Sequence, residues 1–389
     1  MKVVRGVYMR GGTSKGVFFH AKDLPTDPHL RDRIILDVYG SPDITEIDGL
    51  GGANVLTSKT AIISPSDRDD ADVDYTFGQV MIQEPLVDYR INCGNISAGV
   101  GPFAIDEGLV KPVEPLTRVR IYNTNTERVI VAEVPVRNGR AEVAGDQHID
   151  GVPGTGARIL LDFAQTGGTL GRGLLPTGMV KESLSVEGGG QFTVSIVDAA
   201  NPAVFVKAGD LGLRGDEKFE EILELGSVWD KADRIRGTVG VKLGLYKDLE
   251  TFLSVNPTMP FCILVRPPVD YIDFVTGKVL AQSSYDIKGI IRFAGAVHRT
   301  YSGTGSVCTA AAAMIDGTVA NEVLSEAAKK SDVVRIGHPS GIMDVEIKLE
   351  KKGGNYQILR AAYVRTARRI MEGYIYLKPW ADNSSLLSI

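Results

Sequence analysis

The stretch Ile91-Asn92-Cys93-Gly94-Asn95-Ile96-Ser97-Ala98 decides how this chain reads. Residues 87–91 before it have the apolar character of a short strand, and the small-residue run 98–105 after it reads as a buried helix. Cys93 then falls at a strand-to-helix junction, beside the free N–H groups of a helix start. Such a place attracts anions and lowers a thiol's pKa. Gly94 lets backbone approach a ligand closely, and Asn95 tolerates strained turn dihedrals. A reactive thiol at an anion site is one reading; a buried structural cysteine closing a strand is the other, and this stretch alone leaves both open. Gly101-Pro102 falls inside the helix. An interior proline costs roughly 3 kcal/mol, which predicts either a kink or unusually close packing there.

The second half carries an echo of this stretch. Tyr301-Ser302-Gly303-Thr304 precedes another small-residue run that reaches Gly317, as Asn92-Cys93-Gly94-Asn95 precedes one that reaches Gly108. Without gaps, Cys93 pairs with Ser302, Gly94 with Gly303 and Gly108 with Gly317. The pattern is that of an internal duplication. It predicts two similar domains, each aiming a helix N-terminus at a shared cleft, an arrangement suited to a ligand with more than one carboxylate. The length of 389 residues also calls for two cores.

Composition narrows the function class. The net charge of −5 supplies no basic surplus for nucleic acid, though a local cluster of cations could still hold an anionic substrate. The three cysteines, Cys93, Cys262 and Cys308, form no disulfide or zinc pattern, and the five histidines form no metal-ligand pair. No metal or organic cofactor is implied. Neither a signal peptide nor a membrane-spanning run is expected, so the expected compartment is the reducing cytoplasm.

Two further Gly-rich turns stand out. Met9-Arg10-Gly11-Gly12-Thr13-Ser14-Lys15-Gly16 joins two strands; a phosphate loop would need Gly-Lys-Ser/Thr opening a helix, so the expected structure is a tight hairpin offering N–H groups and the Ser14 hydroxyl. Residues 49–58 lead into a strand that begins at Lys59. A lysine there either snorkels or, closed into a cleft, has a lowered pKa and acts as a base. Residues 27–39 form a helix with Leu30, Ile34, Ile35 and Val38 on one face, residues 86–91 a strand, and residues 151–156 a linker. Cys262 and Cys308 read as packing.

Taken together, Asn92-Cys93-Gly94-Asn95, Ser302-Gly303-Thr304-Gly305 and Asn201-Pro202 resemble the diaminopimelate epimerase fold. Within it the chain is similar to the PrpF family of methylaconitate and methylitaconate isomerases. Matching stretches include residues 8–19, Gly51-Gly52 through Ser58-Lys59-Thr60, residues 101–105, residues 337–341 and Met371-Glu372-Gly373. The resemblance implies an α+β fold: two topologically similar domains, each a mixed, mostly antiparallel sheet around a central helix, with an interdomain cleft. The expected domains are residues 1–152 plus 370–389, carrying Lys59 and Cys93, and residues 153–369, carrying His298 and Ser302. The implied catalytic pair is Lys59 and Cys93. Ser14, Thr13, Ser58, Gly94, Asn95, His298, Ser302, Gly303 and Thr304 are the expected substrate contacts. Two-base racemases of this fold use two facing cysteines, whereas the second position here is Ser302, a far poorer acid or base. That favours an isomerase moving a proton between carbons of a small polycarboxylate. An oxalomesaconate-type tautomerase and a non-catalytic partner of an aconitase-type dehydratase are the alternatives. A homo-oligomer, dimer or tetramer, is expected.

Overall fold

The opening strand, Val3–Gly11, turns at Gly12-Thr13 and returns as Ser14–His20. Gly12 has φ +52°, which glycine adopts without strain. Thus the first Gly-rich stretch is a tight hairpin in the computed structural model, which describes residues 3–379. Residues 380–389, expected to belong to the first domain, lie outside the described residues.

From the hairpin the sheet grows in one direction. Ser14–His20 pairs in parallel with Lys59–Pro65, that strand antiparallel with Val73–Val80, that one in parallel with Leu116–Asn123, and the last antiparallel with Arg128–Arg137. The second half repeats the sequence of senses. Gly190–Ala199 is antiparallel to Asn201–Lys207, which is parallel to Phe261–Arg266; this is antiparallel to Ile287–Phe293, which is parallel to Val333–His338, itself antiparallel to Gly341–Lys352. In both halves the central helix enters the chain between the fourth and fifth strands of this series: Gly94–Asp106 in the first and Gly303–Met314 in the second. The duplication seen in residues 92–108 and 301–317 is therefore one of whole sheets. Ile159–Asp162 pairs with both Arg128–Arg137 and Asn355–Arg365, so the pairing runs on from one half to the other. Near the chain's end, Ala367–Tyr376 pairs with the opening strand.

Each sheet curls round its central helix, which explains the helices' composition. Every residue from Gly94 to Ile105 is buried, as is every residue from Gly303 to Ala313. A helix enclosed on all sides needs small residues wherever a strand comes close. A Cβ on Gly99 would lie 2.7 Å from Phe18, and one on Gly101 would lie 2.7 Å from Val134. Pro102 stays inside the helix, and this close packing offsets its cost. The outer faces carry separate helices. Pro28–Tyr39, capped by Asp27, covers Val17, Phe19 and Ile62, and Gly226–Lys242 covers the second sheet. Tyr39 takes part in the buried face of the first of these, whereas Leu30, in its first turn, is 40% exposed.

One expected strand is cut short. Only Val87–Asp88 pairs, not residues 86–91. The Asp88 carboxylate accepts the Arg90 N–H at 3.0 Å and its guanidinium at 2.8 Å, a local turn that competes with the ladder. Tyr89 swings outward to Asp32 at 2.5 Å.

Candidate active site

Cys93 is the N-cap of the first central helix, with extended backbone (φ −114°, ψ 102°). Its side chain makes no capping bond, which leaves the sulfur to face outward from the helix start. Ser302 holds the same position on the second helix, but its hydroxyl folds back to accept the Gly305 N–H at 3.2 Å. The duplicated position thus carries a free thiol on one side and a capping hydroxyl on the other. Asn201 ties the two helix starts together, donating to the Thr304 hydroxyl at 2.8 Å and to the Asn92 carbonyl at 3.5 Å.

Between the helix starts lies a small cavity. Ser14, Lys59, Ile91, Asn92, Cys93 and Asn95 line it from the first half; Thr258, Phe261, Phe293, His298 and Ser302 line it from the second. Its free space is about 20 Å³, room for little more than one water. A separate, larger cavity of about 490 Å³ is bordered by Thr13, Asp150, Thr300, His338 and Arg365. Lys59 and Cys93 line the small cavity and not the large one. The Thr13 and Thr300 hydroxyls, 3.2 Å apart, join the two halves of the chain at the larger cavity.

Lys59 opens its strand and is only 5% exposed. The Tyr39 hydroxyl donates to its carbonyl, and Gly16 lies so close that a Cβ there would overlap the same oxygen, 1.6 Å away. The backbone of Lys59 is therefore tightly placed. Its ammonium donates to Gln79 Oε1 at 2.6 Å and lies 5.1 Å from the Phe77 ring centroid. Burial pulls its pKa below the usual lysine range; Cys93 works in the opposite direction, by charge and as a hydrogen-bond partner.

His298 accepts the Thr300 N–H on Nδ1 at 3.2 Å, which puts the ring proton on Nε2. Burial, with the charge of Lys59 adding to it, pushes its pKa down to about 3, so the ring is a neutral donor. Arg365 fixes the orientation of Asn95. The guanidinium only donates, and its Nε meets Asn95 Oδ1 at 2.9 Å, so the amide oxygen faces Arg365, and the NH2 group on the other side donates to no partner among the described residues. Ser14 is buried, and its hydroxyl has no hydrogen-bond partner among the described residues.

Not every expected contact reaches the cavity. Ser58 turns away from it, because neighbours along a strand point to opposite faces; its hydroxyl donates to buried Glu46 instead. Thr304 is fully buried behind the helix start and serves Asn201. Thr13 borders the larger cavity. Gly94 and Gly303 are the first residues of their helices, and both abut Tyr363: a Cβ on either would lie 2.2 Å from its hydroxyl oxygen. Gln79, Arg365 and Tyr363 are absent from the residues that the sequence singles out. No local motif marks them, since each arrives through long-range strand pairing. Cys262 and Cys308 are wholly buried, and burial raises both thiols, Cys262 to about 12.

Comparison with known proteins places the chain in a family. A family model described as "PrpF protein" matches residues 1–378. The chain belongs to the PrpF family. It is 49% identical to 3-methylitaconate isomerase of Eubacterium barkeri, over 96% of each chain. Against 4-oxalomesaconate tautomerase of Pseudomonas putida the identity is 40% over 94% of each, and against 2-methyl-aconitate isomerase of Shewanella oneidensis 37% over 96% of each. A solved structure of methylitaconate-delta-isomerase superposes with a TM-score of 0.81 at 48% identity, covering 97% of this chain and 96% of that one. A probable proline racemase from Agrobacterium radiobacter shares the fold at a TM-score of 0.55 and 14% identity, covering 97% and 94%. The α+β architecture of two similar sheets, each around a helix, is thus that of the racemases and epimerases. No helix among the described residues is long and apolar enough to cross a membrane.

Proposed function

We propose that this PrpF-family chain is an isomerase that shifts a C=C bond in a small unsaturated polycarboxylate, with a 3-methylitaconate-type dicarboxylate as the preferred substrate. The observation that carries this reading is that the Lys59 amine and the Cys93 thiol line one small cavity at the starts of two buried helices. Sequence identity is higher to the methylitaconate isomerase than to the methylaconitate or oxalomesaconate enzymes, which supports the choice of substrate.

In such a substrate the hydrogen on the carbon that lies between a carboxylate and the C=C bond is weakly acidic. Neutral Lys59 takes this proton, and the electron pair moves through the allyl system onto the carboxylate. The developing negative charge faces the N–H groups of the helix starts, the Nε2–H of His298, the Asn95 amide and the Ser14 hydroxyl. Cys93 gives its proton to the far allylic carbon, so the double bond ends one position along. The remaining ammonium and thiolate are neighbours, and transfer of the proton from Lys59 to Cys93 restores both. A cavity of about 20 Å³ does not hold such a molecule, so the substrate enters when the halves separate. We take residues 1–152 with 370–389, and 153–369, as those halves.

The test is incubation in deuterated water with 3-methylitaconate, 2-methylaconitate and oxalomesaconate, followed by NMR. Exchange and isomerisation strongest with methylitaconate support the assignment. Preference for oxalomesaconate makes the chain a tautomerase. Tight binding of these acids without exchange overturns the enzymatic reading and favours an accessory protein of an aconitase-type dehydratase.

A further inference from the structure

The acceptor that holds Lys59 is a neutral amide, and its own surroundings dictate that it be one. Gln79 lies on Val73–Val80 directly opposite Lys59 in the antiparallel register and is 3% exposed. Its NH2 group donates to two backbone carbonyls, Ser58 at 2.9 Å and Val80 at 3.3 Å. With both donors pinned, the amide cannot flip, and its oxygen must face the Lys59 nitrogen, 2.6 Å away. A carboxylate of the same shape would set an oxygen against those two carbonyls. No carboxylate lies within ion-pair distance of Lys59 among the described residues. The titratable groups that face it are the Cys93 thiol and the neutral His298 ring, while Tyr39 reaches only its backbone carbonyl.

We infer that Gln79 is a positioning residue for the reaction: it orients the Lys59 amine through one uncharged oxygen, so that the nitrogen can give up its proton and aim its lone pair into the cavity. A buried glutamate at this place would hold the ammonium as an ion pair and remove the base. One bond to Gln79 leaves the lone pair and the second N–H of a neutral amine free toward Cys93 and the substrate. The inference rests on the reading of Lys59 as the base.

The experiment is the pH dependence of kcat/KM and kcat for the wild type, Gln79→Glu and Gln79→Met, with whichever substrate the exchange screen selects. In Gln79→Glu the acidic limb is expected to move up by about one unit or more, the size of shift that a close opposite charge causes. On the acidic limb, activity at a fixed pH then falls roughly tenfold and recovers at higher pH. Gln79→Met removes the acceptor, so kcat is expected to fall with little change in KM, and the limb to move down. Opposite shifts support the inference; losses of activity with the limb unmoved in both overturn it. If Gln79→Glu does not fold, an unmoved limb in Gln79→Met is sufficient to overturn it. Lys59→Ala is assayed alongside. Substantial activity in that variant defeats the base assignment itself, whereas a dead Lys59→Ala with unshifted Gln79 variants defeats only the role of Gln79.

Discussion

Acidification from pH 7.5 to 5 is expected to weaken this fold steeply, through two histidines buried without charge. His298 and His338 are 6% and 3% exposed, and burial first of all, then the positive charge of Lys59 or Arg365, pushes each pKa down to about 3. The ordinary value of 6.5 applies once the chain unfolds. Between these values the unfolded state binds more protons than the folded one. The stabilisation is fully present above pH 6.5 and is lost as the pH falls toward 3. One unit is worth about 1.4 kcal/mol per group, so at pH 5 each ring has lost about 2 kcal/mol and the pair about 4 kcal/mol. Burial also lowers His20, which adds in the same direction. The ion-paired carboxylates Asp88, Asp233 and Asp286 have lowered pKa values and give up their contribution only nearer pH 4; other buried groups are common to both proteins, so the comparison with a histidine variant isolates the ring. The assay is urea unfolding at several pH values for the wild type and His338→Asn. Asparagine keeps an acceptor for the Ser340 N–H, which His338 Nδ1 meets at 3.2 Å. The variant is expected to lose about 2 kcal/mol less than the wild type on going to pH 5. Equal losses in the two proteins would refute the reasoning.

Two other perturbations follow from close contacts. Gly94→Ala places a methyl group 2.2 Å from the Tyr363 hydroxyl, so the variant is expected to lose about 1–3 kcal/mol by thermal unfolding and most of its activity; adding Tyr363→Phe removes that oxygen and is expected to restore part of both. Arg365→Met frees the Asn95 amide to rotate. Steady-state kinetics are expected to show KM raised about tenfold or more, the cost of one hydrogen bond that no longer faces the substrate.

The helix starts were legible because each is written locally. A run of Gly, Ala and Ser follows Cys93 and Ser302, and only a helix enclosed on all sides makes use of so many small residues. The duplication was legible for the same reason, though in sequence it covers one helix and in the structure a whole series of strands. The strand expected at residues 86–91 failed because apolar content does not reveal that Asp88 will turn back on Arg90. Ser58 was misplaced although the rule was available: if Lys59 faces the cavity, its strand neighbour cannot. Thr13 and Ser14 divide between the two cavities in the same manner. Gln79 and Arg365 were not legible at all. Their meaning depends on which strand lies opposite which, and on hydrogen bonds that span 20 and 270 positions of chain.

Deuterium incorporation into substrate by Lys59→Ala and Cys93→Ser tests the division of labour most directly. Both variants would be incubated with 3-methylitaconate in deuterated water and followed by NMR. With Lys59 removing the proton and Cys93 returning it at the far carbon, Lys59→Ala incorporates no label anywhere. Cys93→Ser exchanges the hydrogen next to the carboxylate while forming little isomerised product. Label and product at near wild-type rates in Lys59→Ala would contradict the assignment of the base, and undiminished product from Cys93→Ser would contradict a role for the thiol in proton delivery.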